Sequence, residues 1–102
     1  MKEFTESNFK SETAGGKVIA DFWADWCGPC KAFGPIFEAA GKIHPDINFG
    51  KVNVDEHQGI AAQFGIRSIP TLLAFKDGEL KLARSGAMDP ASFENFIKEA
   101  FQ

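Results

Sequence analysis

The 102-residue chain has no tyrosine, only two cysteines, no excess of positive charge and no long apolar run. Each shortage excludes something. Without tyrosine there is no phenol to act as acid, base or nucleophile. Two cysteines are too few for a disulfide-stapled scaffold, since small secreted domains of that kind carry four to eight. Eleven Lys and Arg against fourteen Asp and Glu leave a net charge of −3, which argues against a partner held through phosphate contacts, so no nucleic acid is expected. No stretch approaches the roughly 20 apolar residues that span a bilayer, so no membrane partner is expected either. Met1-Lys2-Glu3-Phe4-Thr5-Glu6 lacks the apolar run of a signal peptide, and a cytoplasmic location, where thiols are held reduced, is the expectation.

What is abundant is phenylalanine, eleven of it, most simply read as core filler. A chain of this length is expected to form one domain, residues 1–102, burying about two thirds of the surface its unfolded form exposes. No repeat, low-complexity tract or long linker interrupts it.

Thr5 to Glu12 reads as a short helix capped by Thr5 or Ser7, with Phe4 and Phe9 inward, ending before Gly15-Gly16. Lys17 to Ala24 is apolar on both faces apart from Asp21, the pattern of a central strand covered on either side. Between Pro29 and Ile43 the residues Ala32, Phe33, Ile36, Phe37, Ala40 and Ile43 recur at helical spacing, and Pro35 inside that stripe predicts a kink. Ile47 to Val54 reads as a strand with Ile47 and Phe49 on one face, and Asp55 to Phe64 as a helix closed by Gly65. Thr71 to Lys76 and Glu79 to Arg84 flank Asp77-Gly78, a strong hairpin signal. Asp89-Pro90 supplies an N-cap and a first-turn proline for a helix carrying Phe93, Phe96, Ile97, Ala100 and Phe101 on one stripe. The order α-β-α-β-α-β-β-α implies an α/β fold, a mixed central sheet with helices on both faces.

The chemistry concentrates at Trp26-Cys27-Gly28-Pro29-Cys30, where the central strand gives way to the proline-containing helix. At a helix N-terminus the free N–H groups and the positive end of the dipole stabilise a thiolate on the first cysteine. The second thiol is close enough to attack a mixed disulfide formed by the first, so the pair can switch between dithiol and disulfide. Gly28 permits close approach of a partner backbone, and Pro29 suits the first turn. Two other readings compete, a metal half-site and two structural thiols. Zinc would need two more ligands, and the only histidines, His44 and His57, lie 13 residues apart and near no further cysteine. No metal is expected.

The run Asp21-Phe22-Trp23-Ala24-Asp25-Trp26-Cys27-Gly28-Pro29-Cys30-Lys31 resembles the active-site signature of the thioredoxin family. Lys51-Val52-Asn53-Val54-Asp55, Gly65-Ile66-Arg67-Ser68-Ile69-Pro70-Thr71 and Phe75-Lys76-Asp77-Gly78 follow in family order and spacing, so the resemblance spans nearly the whole chain. It implies the thioredoxin fold and a protein-disulfide reductase with Cys27 as nucleophile and Cys30 as resolving thiol. It also implies a monomer with no bound cofactor, receiving electrons from a separate thioredoxin reductase and passing them to disulfide-containing proteins. A thiol oxidase or isomerase of the same fold, and a binding subunit of a larger assembly, are the alternatives.

Four further assignments combine residue chemistry with the resemblance. A carboxylate inside an apolar strand is desolvated and its pKa rises, so Asp21 is either a proton carrier or a satisfied structural acid. The resemblance places it behind Cys30, assisting deprotonation, with Lys51 nearby; alone, Lys51 reads as a strand-edge charge facing solvent. Pro70 alone reads as an ordinary trans strand boundary. The resemblance implies instead a cis proline opposite the cysteines whose neighbouring backbone pairs with an extended substrate segment. Trp26, Gly28, Pro29, Val54, Ile69, Pro70, Gly86 and Ala87 match the family's apolar contact surface, where scattered surface residues are the plainer reading. Ser85, Gly34 and Met88-Asp89-Pro90 depart from the family pattern and bear on partner preference.

Overall fold

A computed structural model describes residues Met1–Gln102. Nine elements follow one another: β1 (Lys2–Glu3), α1 (Phe9–Thr13), β2 (Lys17–Trp23), α2 (Gly28–Ile43), β3 (Ile47–Asn53), α3 (Gln58–Gln63), β4 (Thr71–Lys76), β5 (Glu79–Ser85) and α4 (Pro90–Phe101). The strands form one mixed sheet in the order β1-β3-β2-β4-β5. β2 is parallel to β3 and antiparallel to β4, so it runs through the middle, as its two-faced apolar pattern predicts.

Alternation along β2 sends Val18, Ala20 and Phe22 into one core and Ile19 into the other. The first core is completed by Phe4, Phe9 of α1 and Ile60 of α3; the second by Phe33 and Phe37 of α2 and Phe93 and Phe96 of α4. Nine of the eleven phenylalanines are buried, and they divide between these two layers, which bears out their reading as core. Asp21 and Trp23 follow Ile19 at period two and therefore face the α2/α4 layer.

Local chemistry accounts for the boundaries. Asp77 (φ 51°) and Gly78 (φ 86°) both adopt the left-handed conformation that a two-residue hairpin turn requires. The hairpin carries one irregularity, between Ala74 and Phe75, where Lys81 of β5 is the residue left without a partner. Asp89 caps α4 by accepting the Ser92 backbone N–H at 2.8 Å, a bond that holds its carboxyl below the usual carboxylate range. Gly65 (φ 63°) follows α3 in the left-handed conformation, as the closing glycine predicts.

Several expectations are corrected. β1 adds a short strand at the start of the order, parallel to β3; two exposed residues carry no periodic signal, and only the partner strand reveals them. α1 begins at Phe9 rather than Thr5, because Asn8 turns its side-chain oxygen back to the Thr5 N–H at 2.7 Å and residues before it form turns. Neither Thr5 nor Ser7 caps the helix. α3 starts at Gln58, since Asn53 Oδ1 accepts the Asp55 N–H at 3.0 Å and spends that stretch on a turn. α2 runs through Pro35, but its apolar stripe is narrower than the spacing implies: Ala32 and Ile43 are exposed.

Two glycines on this frame differ sharply. A Cβ on Gly50 of β3 would fall on the buried Phe4 ring, whereas a Cβ on Gly34 of α2 would meet only Lys51 Nζ, at 3.9 Å. Gly50→Ala should therefore lower stability by about 1–3 kcal/mol through overpacking. Gly34→Ala should raise it by up to about 1 kcal/mol by removing helical backbone freedom. Urea denaturation at neutral pH checks both signs, and similar losses in the two variants would contradict this account of the packing.

Candidate active site

The parallel β2–β3 pair ends on one side of the sheet, and α2 starts there, five residues beyond the last residue of β2. Cys27 is the N-cap of α2, and its Sγ accepts the Cys30 backbone N–H at 3.2 Å. That bond aims an otherwise unpaired helix donor at the first sulfur, the arrangement that favours a thiolate there once the pair is reduced. The two cysteines form a disulfide, with Cα atoms 5.3 Å apart. Both cysteines are buried in a small apolar cluster with Ala24, and Cys27 is followed by exposed Gly28 and Pro29.

Ile69 and Pro70 come to the sulfurs from a distant part of the chain. The Ile69–Pro70 peptide bond is cis, and the Ile69 carbonyl oxygen lies 3.8 Å from Cys27 Sγ. Ile69 makes no backbone hydrogen bond, which leaves its polar groups available to an incoming strand. The Pro70 carbonyl accepts the Gly86 N–H at 2.8 Å. Thr71 Oγ1 sits 2.6 Å from the Ser68 carbonyl and 3.2 Å from Ser85 Oγ. A hydroxyl has one proton, so Thr71 donates to Ser68 and accepts from Ser85.

Around the sulfurs the surface is apolar and open. Trp26 is 71% exposed, its indole Nε1 donating to Asp55 Oδ2 at 2.9 Å. Trp26, Val54, Ile66 and Ile69 line a groove of about 160 Å³, with Arg67 on its rim. The roomiest groove, about 500 Å³ between α1, α3 and the β4–β5 hairpin, shares no lining residue with it. Gly86 and Ala87 are exposed just beyond β5, tied to the site by the Gly86–Pro70 bond.

Asp21 lies within β2, two residues before its end. It is fully buried, on the sheet face that α2 covers, and neither carboxylate oxygen has a hydrogen-bond partner. Burial pushes its carboxyl up from about 3.8 to about 7, against a weaker downward pull from the Lys51 charge. Lys51 is the register partner of Asp21 on β3, half-buried, with Nζ 4.4 Å from the centroid of the Trp23 ring.

Thus the structure brings Cys27, Cys30, Trp26, Gly28, Pro29, Val54, Ile69 and Pro70 around one disulfide, while Asp21 and Lys51 sit in register on β2 and β3. Asp55, Thr71 with Ser85, and Trp23 escaped the sequence reading. Asp55 follows Val54 and could have been paired with Trp26 once both strand ends were aligned; the hydroxyl pair had no local signal. No group of three or more His, Cys, Asp or Glu side chains is placed to hold a metal, and no helix is long and apolar enough to cross a membrane.

A Cys-x-x-Cys disulfide at a strand-to-helix junction on an α/β sheet defines a dithiol–disulfide oxidoreductase. The thioredoxin family model matches residues 1–99. The chain is 41% identical over 99 residues to "Putative thioredoxin 2" of Streptomyces coelicolor, an alignment covering 96% of this chain and 74% of that protein. It is 48% identical over 77 residues to the thioredoxin of Bacillus subtilis, covering 74% of each. The chain belongs to the thioredoxin family and is a thiol–disulfide oxidoreductase that carries out dithiol–disulfide exchange.

The raised Asp21 pKa links folding to pH with a definite sign. Between pH 3.8 and about 7 the unfolded carboxyl is ionised while the folded one keeps its proton. Stability therefore falls as pH rises through that window, by on the order of 4 kcal/mol in all. Asp21→Asn should match the wild type near pH 4 and exceed it by several kcal/mol at pH 8, read by urea denaturation at each pH. A constant difference across the window would contradict the assignment.

Proposed function

We propose that the chain, acting as one domain and as a monomer, is a general protein-disulfide reductase. It carries electrons in the cytoplasm from a separate thioredoxin reductase to disulfide-bonded proteins. The observation that supports this most is the Cys27 sulfur capping α2, the helix that covers the sheet face carrying an unpartnered buried carboxyl. The electrons reside in the thiol pair itself, with no bound cofactor. The Gly28-Pro29 spacer, which resembles the reducing members of the family, supports the reductive direction over oxidase or isomerase work.

The Cys27 thiolate attacks one sulfur of a target disulfide; a Cys27–target bond forms, the target S–S bond breaks, and the released target thiolate takes up a proton. Cys30 then loses its proton to Asp21 and attacks Cys27 Sγ. The Cys27–Cys30 bond forms, the mixed disulfide breaks, and the second target sulfur leaves as a thiolate that then takes up a proton. Two electrons have passed from the pair to the target. A carboxyl with a midpoint near neutrality is suited to that transfer, since it neither holds nor refuses a proton at working pH. Lys51 moderates its charge from the neighbouring strand.

Recognition is assigned to Trp26, Gly28, Pro29, Val54, Ile69, Pro70, Gly86 and Ala87. An extended target segment adds to the unpaired Ile69 backbone while its side chains rest on the apolar rim. Strand addition of this kind tolerates many sequences, which suits a general reductase.

Insulin reduction with dithiothreitol as donor tests the roles. Cys27→Ser should fall to the rate of dithiothreitol alone, and Cys30→Ser should accumulate protein partners covalently held on Cys27. Wild-type turnover by Cys27→Ser, or an empty Cys30→Ser trap, would overturn the reading.

A further inference from the structure

Lys51 and Asp21 pose a problem in charge pairing. They are register partners on adjacent strands, so both side chains leave the sheet on the same face. A buried carboxylate without any hydrogen-bond partner, with an ammonium on the next strand, should close into an ion pair. It does not: neither residue belongs to any of the six ion pairs in the protein. The ammonium lies instead over Trp23, 4.4 Å from the ring centroid.

No other charge competes for it. On β2 the neighbours of Asp21 on that face are Ile19 and Trp23, and its partner on β4 is Leu72. α2 turns Cys30, Phe33, Gly34 and Phe37 toward the sheet, and α4 contributes Phe93, Phe96, Ile97 and Ala100. The titratable groups around Asp21 are therefore Lys51 and the cysteine pair. Gly34 adds an independent detail, because a Cβ there would sit 3.9 Å from Lys51 Nζ. That is ordinary contact distance, so the ammonium on the indole lies directly against the Gly34 face of α2.

We infer that Trp23 is a positioning residue for the exchange reaction, holding Lys51 on its ring and so withholding it from a direct ion pair with Asp21. An ammonium on an aromatic face is attracted by the ring quadrupole, most strongly by Trp, and still acts on the carboxylate through space. Contact pairing would favour the ionised carboxylate far more and occupy its oxygens. The acid could then no longer return a proton. Trp23 thereby keeps Asp21 as an exchangeable acid rather than a fixed half of a salt bridge. This rests on Asp21 serving as proton acceptor for Cys30.

The test follows the carboxyl carbon of Asp21 by NMR in the reduced full chain as pH is varied. Trp23→Leu should lower its midpoint by about one pH unit or more as Lys51 moves onto the carboxylate. Trp23→Phe, which keeps a weaker ring face, should recover most of the wild-type value. Lys51→Met should raise the midpoint, and adding Trp23→Leu to it should produce no fall. An unchanged or raised midpoint in Trp23→Leu overturns the inference, as does a fall that persists with Lys51→Met, which would mark simple entry of water. If Trp23→Leu does not fold, Trp23→Phe carries the test with a smaller fall abolished by Lys51→Met. Failure of the underlying proton-transfer role looks different: the midpoints move as described while the rate of mixed-disulfide collapse ignores them.

Discussion

The structure depends on one unfavourable arrangement, a carboxyl buried at Asp21 in the middle of the central strand with no hydrogen bond to either oxygen. Burial of this kind ordinarily selects against the residue. Here the two phenylalanine-rich layers tolerate it: each face of β2 is covered by its own pair of helices, so the fold can hold one costly group at the centre. Positioning follows from this. The strand that carries Asp21 leads to the Cys27 cap of α2, and α2 packs back over the same face, so acid and thiols share one layer.

Charge around the acid is arranged to keep it convertible. Desolvation alone would hold Asp21 protonated, while a contact pair with Lys51 would hold it ionised. Lys51 on the Trp23 ring is an intermediate position, near enough to pull the midpoint down and not near enough to fix it. Above this layer, Cys27 has the Cys30 N–H on one side and the Ile69 carbonyl on the other. The Gly86–Pro70 and Thr71–Ser85 bonds tie that carbonyl to the end of β5. Ser85, which departs from the family pattern, thus takes part in holding the segment assigned to recognition.

Features set by neighbours in the chain are legible in the sequence. Asp77-Gly78 dictates its turn, Asp89-Pro90 its cap, and the Phe93-to-Ala100 stripe its burial, because each rests on dihedral preference or periodicity. The cysteine pair and Asp21 were legible for the same reason, as polar chemistry interrupting an apolar pattern. What escaped depends on contacts across the fold. β1 exists only because β3 offers it an edge, and the start of α1 moved because Asn8 reaches back to Thr5. Ile43 fits the helical stripe yet is exposed, since it lines an open groove between α2 and the start of α4 rather than facing the sheet. The partnerships of Trp26 with Asp55 and of Trp23 with Lys51 join strands that meet only in the folded chain.

The claim at the centre is that Asp21 takes the Cys30 proton during resolution. The most direct measurement forms the mixed disulfide of Cys27 with a chromogenic thiol and follows its collapse by stopped flow across pH, in the wild type and in Asp21→Asn. The account predicts a wild-type rate with an inflection near pH 7 that is absent from Asp21→Asn, which resolves more slowly at and above neutrality. Superimposable profiles for the two proteins would contradict it.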